Sequence, residues 1–184
     1  MQNVSCSQMR IIELETHNQN WSRDFEKEAA IIKDVLSGNL IAAYHIGSTA
    51  ITGIKAKPVI DILLEVKSIN EIDKHKQGIE GLGYEAKGEY GIKGRRFFQK
   101  GNDERTHHIH IFESGNSEIE RHLLFIEFMN SHPHRAAEYE KLKMKLSCHH
   151  KEEPEKYSQS KSVFIHNIDV EASAWKAQLT KRSS

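Results

Sequence analysis

The stretch HIGSTAITGIKAKPVIDILLEV, residues 45–66, decides how the chain is read. It begins at the end of LIAAYHI, 40–46, a continuous apolar run of strand length that predicts a strand buried on both faces. Gly47-Ser48 ends that run, and Pro58 opens a second one, PVIDILLEV, rich in branched side chains and bounded by charges. Its pattern predicts a central strand. A strand ending in Gly-Ser lets the backbone approach an anion while the hydroxyl and exposed N–H groups donate to it. Alone, the same pair reads as an ordinary strand-to-helix turn.

Asp61 changes that weighing. It lies inside the second run, between Ile60 and Ile62, where an ionised carboxylate is costly unless a metal, a cation or several hydrogen bonds meet it. Strand alternation places Asp61, Leu63 and Glu65 on one face and Ile60, Ile62 and Leu64 on the other. The natural second acid, two residues after Asp61, is therefore a leucine. Glu65 shares the face but stands roughly 13 Å along the strand, too far to share one ion.

Outward from this stretch, residues 10–15 read as a short strand, and Trp21, Phe25, Ala29, Ile32 and Leu36 mark a helix over 21–37. Ser68 with Glu71 predicts a capping box opening a helix over 68–80, which Gly81-Leu82-Gly83 stops. Antiparallel strands follow near Tyr84, over 95–100 and over 106–112, the last two joined at Gly101-Asn102-Asp103. From Ser117 the period is helical. One helix carries Leu123 to Met129, Pro133 starts a second, and a third runs from about Glu155 to Trp175, with TKRSS as a frayed tail. The reading is one α+β domain over 1–184, a mixed-sheet core over 1–115 followed by C-terminal helices over 116–180.

Composition bounds the function. Lysine plus arginine equals aspartate plus glutamate at 26 each, so no global field draws the chain to nucleic acid or an anionic membrane, and any anion site is local. Cys6 and Cys148 lie far apart without metal-finger spacing, which favours reduced thiols and a cytoplasmic setting. No apolar run approaches the roughly 18 residues of a membrane span.

Thr106-His107-His108-Ile109-His110 is the third constellation. On a strand, His108 and His110 point the same way, roughly 7 Å apart at Cα, a spacing from which two imidazoles converge on one metal or phosphate. The same pair also suits two structural histidines bonded to backbone or to Asp61. His107 points to the opposite face. Lys57 in the loop after Gly-Ser and Arg95 on the hairpin are candidate phosphate-binding cations, with Lys55, Lys93, Arg96 and Lys100 around them.

HIGSTAITGIKAKPVIDILLEV, followed by GRRFF, HHIHIF, HPHRAAEYEKLK and a late YSQSKSVFI, resembles the GrpB family of bacterial proteins, also found fused to the C-terminus of some dephospho-CoA kinases. The resemblance implies a polymerase-beta-like nucleotidyltransferase fold, with a Gly-Ser turn for the triphosphate and an aspartate on the next strand for a metal. It places His45, Gly47, Ser48, Lys57 and Arg95 as nucleotide or phosphate binders, and Asp61, His108 and His110 as catalytic residues and ligands of a divalent ion: magnesium or manganese, or zinc. Two departures stand out: Ile126 where arginine is common, and Leu63 in place of the second acid. The expected partner is a nucleotide or phosphorylated small molecule. The expected activity is transfer of a nucleoside monophosphate to an acceptor. The alternative is a degenerate module that binds a nucleotide or coenzyme A-like ligand without reacting.

Overall fold

The computed structural model describes residues 11–182. In chain order the elements are helix α1 (Asn20–Leu36), strands β1 (Leu40–Ile46) and β2 (Ile60–Val66), helix α2 (Ile69–Gly81), strands β3 (Tyr84–Ala86), β4 (Arg96–Lys100) and β5 (His107–Glu113), and helices α3 (Ser117–Ser131), α4 (Pro133–His149), α5 (Pro154–Gln159) and α6 (Ser162–Arg182). The five strands form one mixed sheet in the order β1-β2-β5-β4-β3. β2 and β5 are parallel to each other, and the remaining neighbours are antiparallel. This is an α+β architecture. No helix among the described residues is long and apolar enough to cross a membrane.

Alternation along the strands sorts the two faces. Ile60, Ile62, Leu64 and Val66 of β2 join Ile109 and Ile111 of β5 in a core under α1 and α2, closed by Trp21, Ile32, Leu36, Ile72 and Ile79. On the opposite face Ile46, Leu63 and Phe112 pack against Ile119 of α3. A third apolar cluster unites α3, α4 and α6 with Ile51 and Ile54 of the loop before β2. That loop therefore belongs as much to the helical layer as to the sheet.

Several expectations need correction. The segment expected as a strand over 10–15 forms only an isolated bridge between Glu15 and Ala56, and Arg10 lies outside the described residues. β1 is an edge strand with Ile41 48% exposed, so its apolar run does not signify burial on both faces. The capping box at Ser68 does not form: no side-chain cap bond is made there, Asn39 Oδ1 accepts from Ser68 N at 3.0 Å, and Glu113 accepts from Ile69 N at 2.9 Å. Tertiary acceptors have replaced the local ones. The expected third C-terminal helix is two helices, broken between Gln159 and Ser162. α6 also continues through Thr180 and Lys181, where a frayed tail was expected, while Ser183 and Ser184 lie outside the described residues.

Candidate functional site

The β1–β2 connection builds the floor of the site. Antiparallel pairing sets Ile46 opposite Asp61, so the chain leaves β1 beside the carboxylate. Gly47 adopts φ +73°, and a Cβ there would stand 2.3 Å from Asp61 Oδ2. Only a residue without a side chain permits this approach. Ser48, Thr49 and Ala50 form a single 3-10 turn, and Ser48 Oγ faces Tyr139 OH on α4 at 3.5 Å.

His45 sits on the other face of β1, opposite Ile62. It stacks on Phe25 of α1 at 5.1 Å and bonds Thr49 Oγ1 at 2.9 Å, so it braces the turn from behind. Burial pushes its imidazole down from the ordinary range.

The parallel register of β2 and β5 aligns Asp61 with His108 and Leu63 with His110. An ionised carboxylate only accepts, so His108 Nδ1–H donates to Asp61 Oδ1, at 2.9 Å. That choice leaves the His108 Nε2 lone pair for whatever enters the site. His110 Nε2 stands 3.7 Å from the same oxygen. Arg95, which only donates, meets His110 Nδ1 at 3.3 Å, so the His110 proton belongs on Nε2, facing Asp61. Burial pushes the Asp61 carboxyl up, but the two histidine hydrogen bonds and the histidine charges together hold it well below the usual carboxylate range. His110 is pushed down by burial, against the pull of Asp61.

Arg95 is buried and forms no direct ion pair among the described residues, although the Glu118 charge acts on it. Its guanidinium donates to Tyr90 O at 2.6 Å and Glu89 O at 3.1 Å and lies 4.8 Å over the Phe97 ring. It thus ties the 88–94 loop to the histidine pair. The loop carrying Lys57 is held from α4: Lys55 N donates to Glu140 Oε1 at 2.6 Å, and the buried Lys143 Nζ donates to Lys55 O at 2.5 Å.

These residues border one cleft of about 880 Å³, lined by Ser48, Lys57, Asp61, Arg95, His108 and His110. His45 and Gly47 shape its floor without lining it. Further lining residues carried no expected role in the sequence: Lys87, Arg105, Tyr157 and Lys161. Tyr157 and Lys161 fall within YSQSKSVFI, which was legible as a motif but not as a place. Five cations, Lys57, Lys87, Arg95, Arg105 and Lys161, stand against Asp61 and Glu155. The zero net charge of the chain conceals this local excess.

The expected metal triad meets in space, but through hydrogen bonds among its own members. Asp61 Oδ1 is engaged by His108, Leu63 is fully buried in the apolar cluster under α3, and among the described residues no group of three or more His, Cys, Asp or Glu is arranged to hold a metal ion. The residues as they stand do not fit two-ion magnesium chemistry, which needs more than one carboxylate.

A family model described as GrpB protein matches residues 11–171. The UPF0157 protein YqkA of Bacillus subtilis is 42% identical over 91% of this chain, which spans 49% of that relative, about half its length. The glutamate-rich protein GrpB of Alkalihalophilus pseudofirmus is 32% identical over 84% of this chain and 92% of its own length. Among solved structures, the conserved protein GrpB from Enterococcus faecalis superposes with a TM-score of 0.83 at 38% identity, covering 87% of this chain and 96% of that one. A model that matches nearly the whole chain, relatives of this identity and a structure of this likeness agree, and the chain belongs to the GrpB family.

Proposed function

We propose that this chain binds a nucleotide or another phosphorylated small molecule in the cleft beside Asp61, on a polymerase-beta-like nucleotidyltransferase scaffold that serves as a binding module. The observation that carries this reading is the convergence of five basic side chains on a cleft floored by a Gly-Ser turn. An excess of basic over acidic side chains lining a cleft favours an anion of several charges, and the turn supplies N–H and hydroxyl donors of the kind phosphate oxygens accept. The antiparallel step from the Gly-Ser turn to an aspartate on the next strand supports the scaffold assignment. Isothermal calorimetry with ATP, pyrophosphate and coenzyme A, each with and without magnesium or manganese, tests the reading. Heat of binding from at least one of them is expected, and the absence of binding by all would end it.

One observation favours a second reading, nucleotidyl transfer to an acceptor hydroxyl. The Asp61–His108 pair orients an imidazole whose Nε2 is able to take a proton from that hydroxyl. His108 Nδ1 and Asp61 Oδ1 are spent on each other, and the His110 proton faces Asp61, so a divalent ion here would be left with His108 Nε2 and Asp61 Oδ2 as ligating atoms. Transfer of labelled nucleotide that survives Asp61→Asn unchanged would sink this assignment.

A further inference from the structure

Lys161 stands at the break between α5 and α6, where the helical pattern of the sequence read as continuous. The interruption turns its side chain into the cleft beside residues that come from β2 and the β1–β2 loop. Several lysines around the molecule are paired with carboxylates: Lys87 on the same cleft pairs with Glu85, Lys100 with Glu28, Lys156 with Glu153 and Lys176 with Glu127. Lys161 has none among the described residues. Its ammonium lies 4.3 Å over the ring of the buried Tyr157. A partly buried ammonium facing an aromatic ring and open space has a charge that its surroundings do not meet.

We propose that Lys161 is the anchoring cation for the phosphoryl group of the ligand, gripping it together with Lys57 and the Ser48 turn. This rests on the proposed function and deepens it, by naming where the phosphoryl group sits and which part of the chain holds it. The charged and titratable groups facing Lys161 are Lys57 from the loop, Asp61 from β2, Lys143 from α4 and Tyr157 from α5. Lys57 opposes the charge on Lys161, and Asp61 is already engaged by His108 and His110. A dianion in the cleft that Lys161 and Lys57 both line relieves their repulsion, which a single carboxylate does less well. The second buried lysine supports the geometry from beneath: Lys143 Nζ holds Lys55 O, and so holds the loop that carries Lys57. Burial, with Lys57 adding to it, lowers the Lys161 amine to about 8, so its protonation is sensitive to what occupies the cleft.

The probes are pyrophosphate, ATP and citrate, titrated by calorimetry into the unmodified chain, Lys161→Met and Lys161→Arg, with circular dichroism to establish folding. Lys161→Met is expected to weaken pyrophosphate and ATP binding by at least about tenfold at pH 7. Lys161→Arg keeps the charge and is expected to retain most of the affinity. Between about pH 7 and pH 9 the unmodified chain loses affinity as Lys161 gives up its proton, whereas Lys161→Arg, always charged, does not lose it in the same way. Undiminished binding by Lys161→Met, or the same pH slope in Lys161→Arg as in the unmodified chain, overturns the assignment while leaving the proposed function standing. Citrate bound as tightly as pyrophosphate overturns the phosphoryl class. Should Lys161→Met fail to fold, the Lys161→Arg pH profile decides alone. If the unmodified chain binds none of pyrophosphate, ATP and coenzyme A, the proposed function falls and this assignment with it.

Discussion

Gly47 shows how closely single residues are constrained around the carboxylate. Its backbone occupies the left-handed region, and the space a Cβ would need is already filled by Asp61. Both effects act in the same direction in Gly47→Ala. The conformational penalty of about 1–2 kcal/mol adds to an overpacking cost of similar size, because the blocking atoms belong to a carboxylate fixed by His108. A loss of roughly 2–4 kcal/mol in urea unfolding is expected; a loss under about 0.5 kcal/mol would show that the turn relaxes freely. The contribution of Asp61 itself was foreseeable from an acid inside an apolar run, and its alignment with His108 was not. A residue pattern states which face a side chain takes, but only the β2–β5 register states which residue stands beside it.

At the scale of elements, the α2 N-terminus tests whether local or tertiary capping governs. Ser68 and Glu71 have the spacing of a capping box, yet Glu71 turns to Lys74 and the helix entry is satisfied by Asn39 and Glu113. Asn39 makes two bonds across the chain, accepting from Ser68 N and donating to Ser68 O, both at 3.0 Å. Asn39→Ala is therefore expected to cost about 1–2 kcal/mol, and Ser68→Ala less than about half of that. Thermal or urea unfolding of the two variants measures the difference, and the reverse order would restore the local cap. The same competition explains why the α5–α6 break was missed. Helical periodicity persists through Tyr157, Val163, Phe164 and Ile168, while the chain breaks between Gln159 and Ser162, just after the buried Tyr157.

For the whole molecule, several partly buried carboxylates and histidines act in one direction. Asp61, Glu28 and Glu118 are held below the usual carboxylate range, in each case with burial working against their partners, and burial pushes His110 and His122 down, the latter to about 4. Each of these groups binds a proton more readily in the unfolded chain than in the folded one. Their contributions are present above the unfolded values and are lost as pH falls through the folded values. Asp169, raised chiefly by burial, works in the opposite direction. The net expectation is a urea midpoint that falls on acidification, with the His122 share lost between about pH 6.5 and pH 4. His122→Asn should flatten that part of the profile; an unchanged slope would mean that His122 is not the group responsible.

By itself the sequence determined most of the elements and the faces of the two strands that carry the site. The Gly-Ser turn between β1 and β2, the orientation of Asp61 away from Ile60 and Ile62, and the shared face of His108 and His110 all follow from periodicities of a few residues, because backbone geometry fixes them locally. The family was legible in the order of short motifs. Only the tertiary structure decided that Asp61 is met by imidazoles, that Leu63 is sealed in the core under α3, that His45 supports the turn from the far face, and that Lys161 arrives in the cleft from the C-terminal helices. These are relations between segments brought together by strand register and helix packing, and residues as distant in the chain as Ser48 and Lys161 become neighbours only when the hydrophobic clusters on both sides of the sheet close.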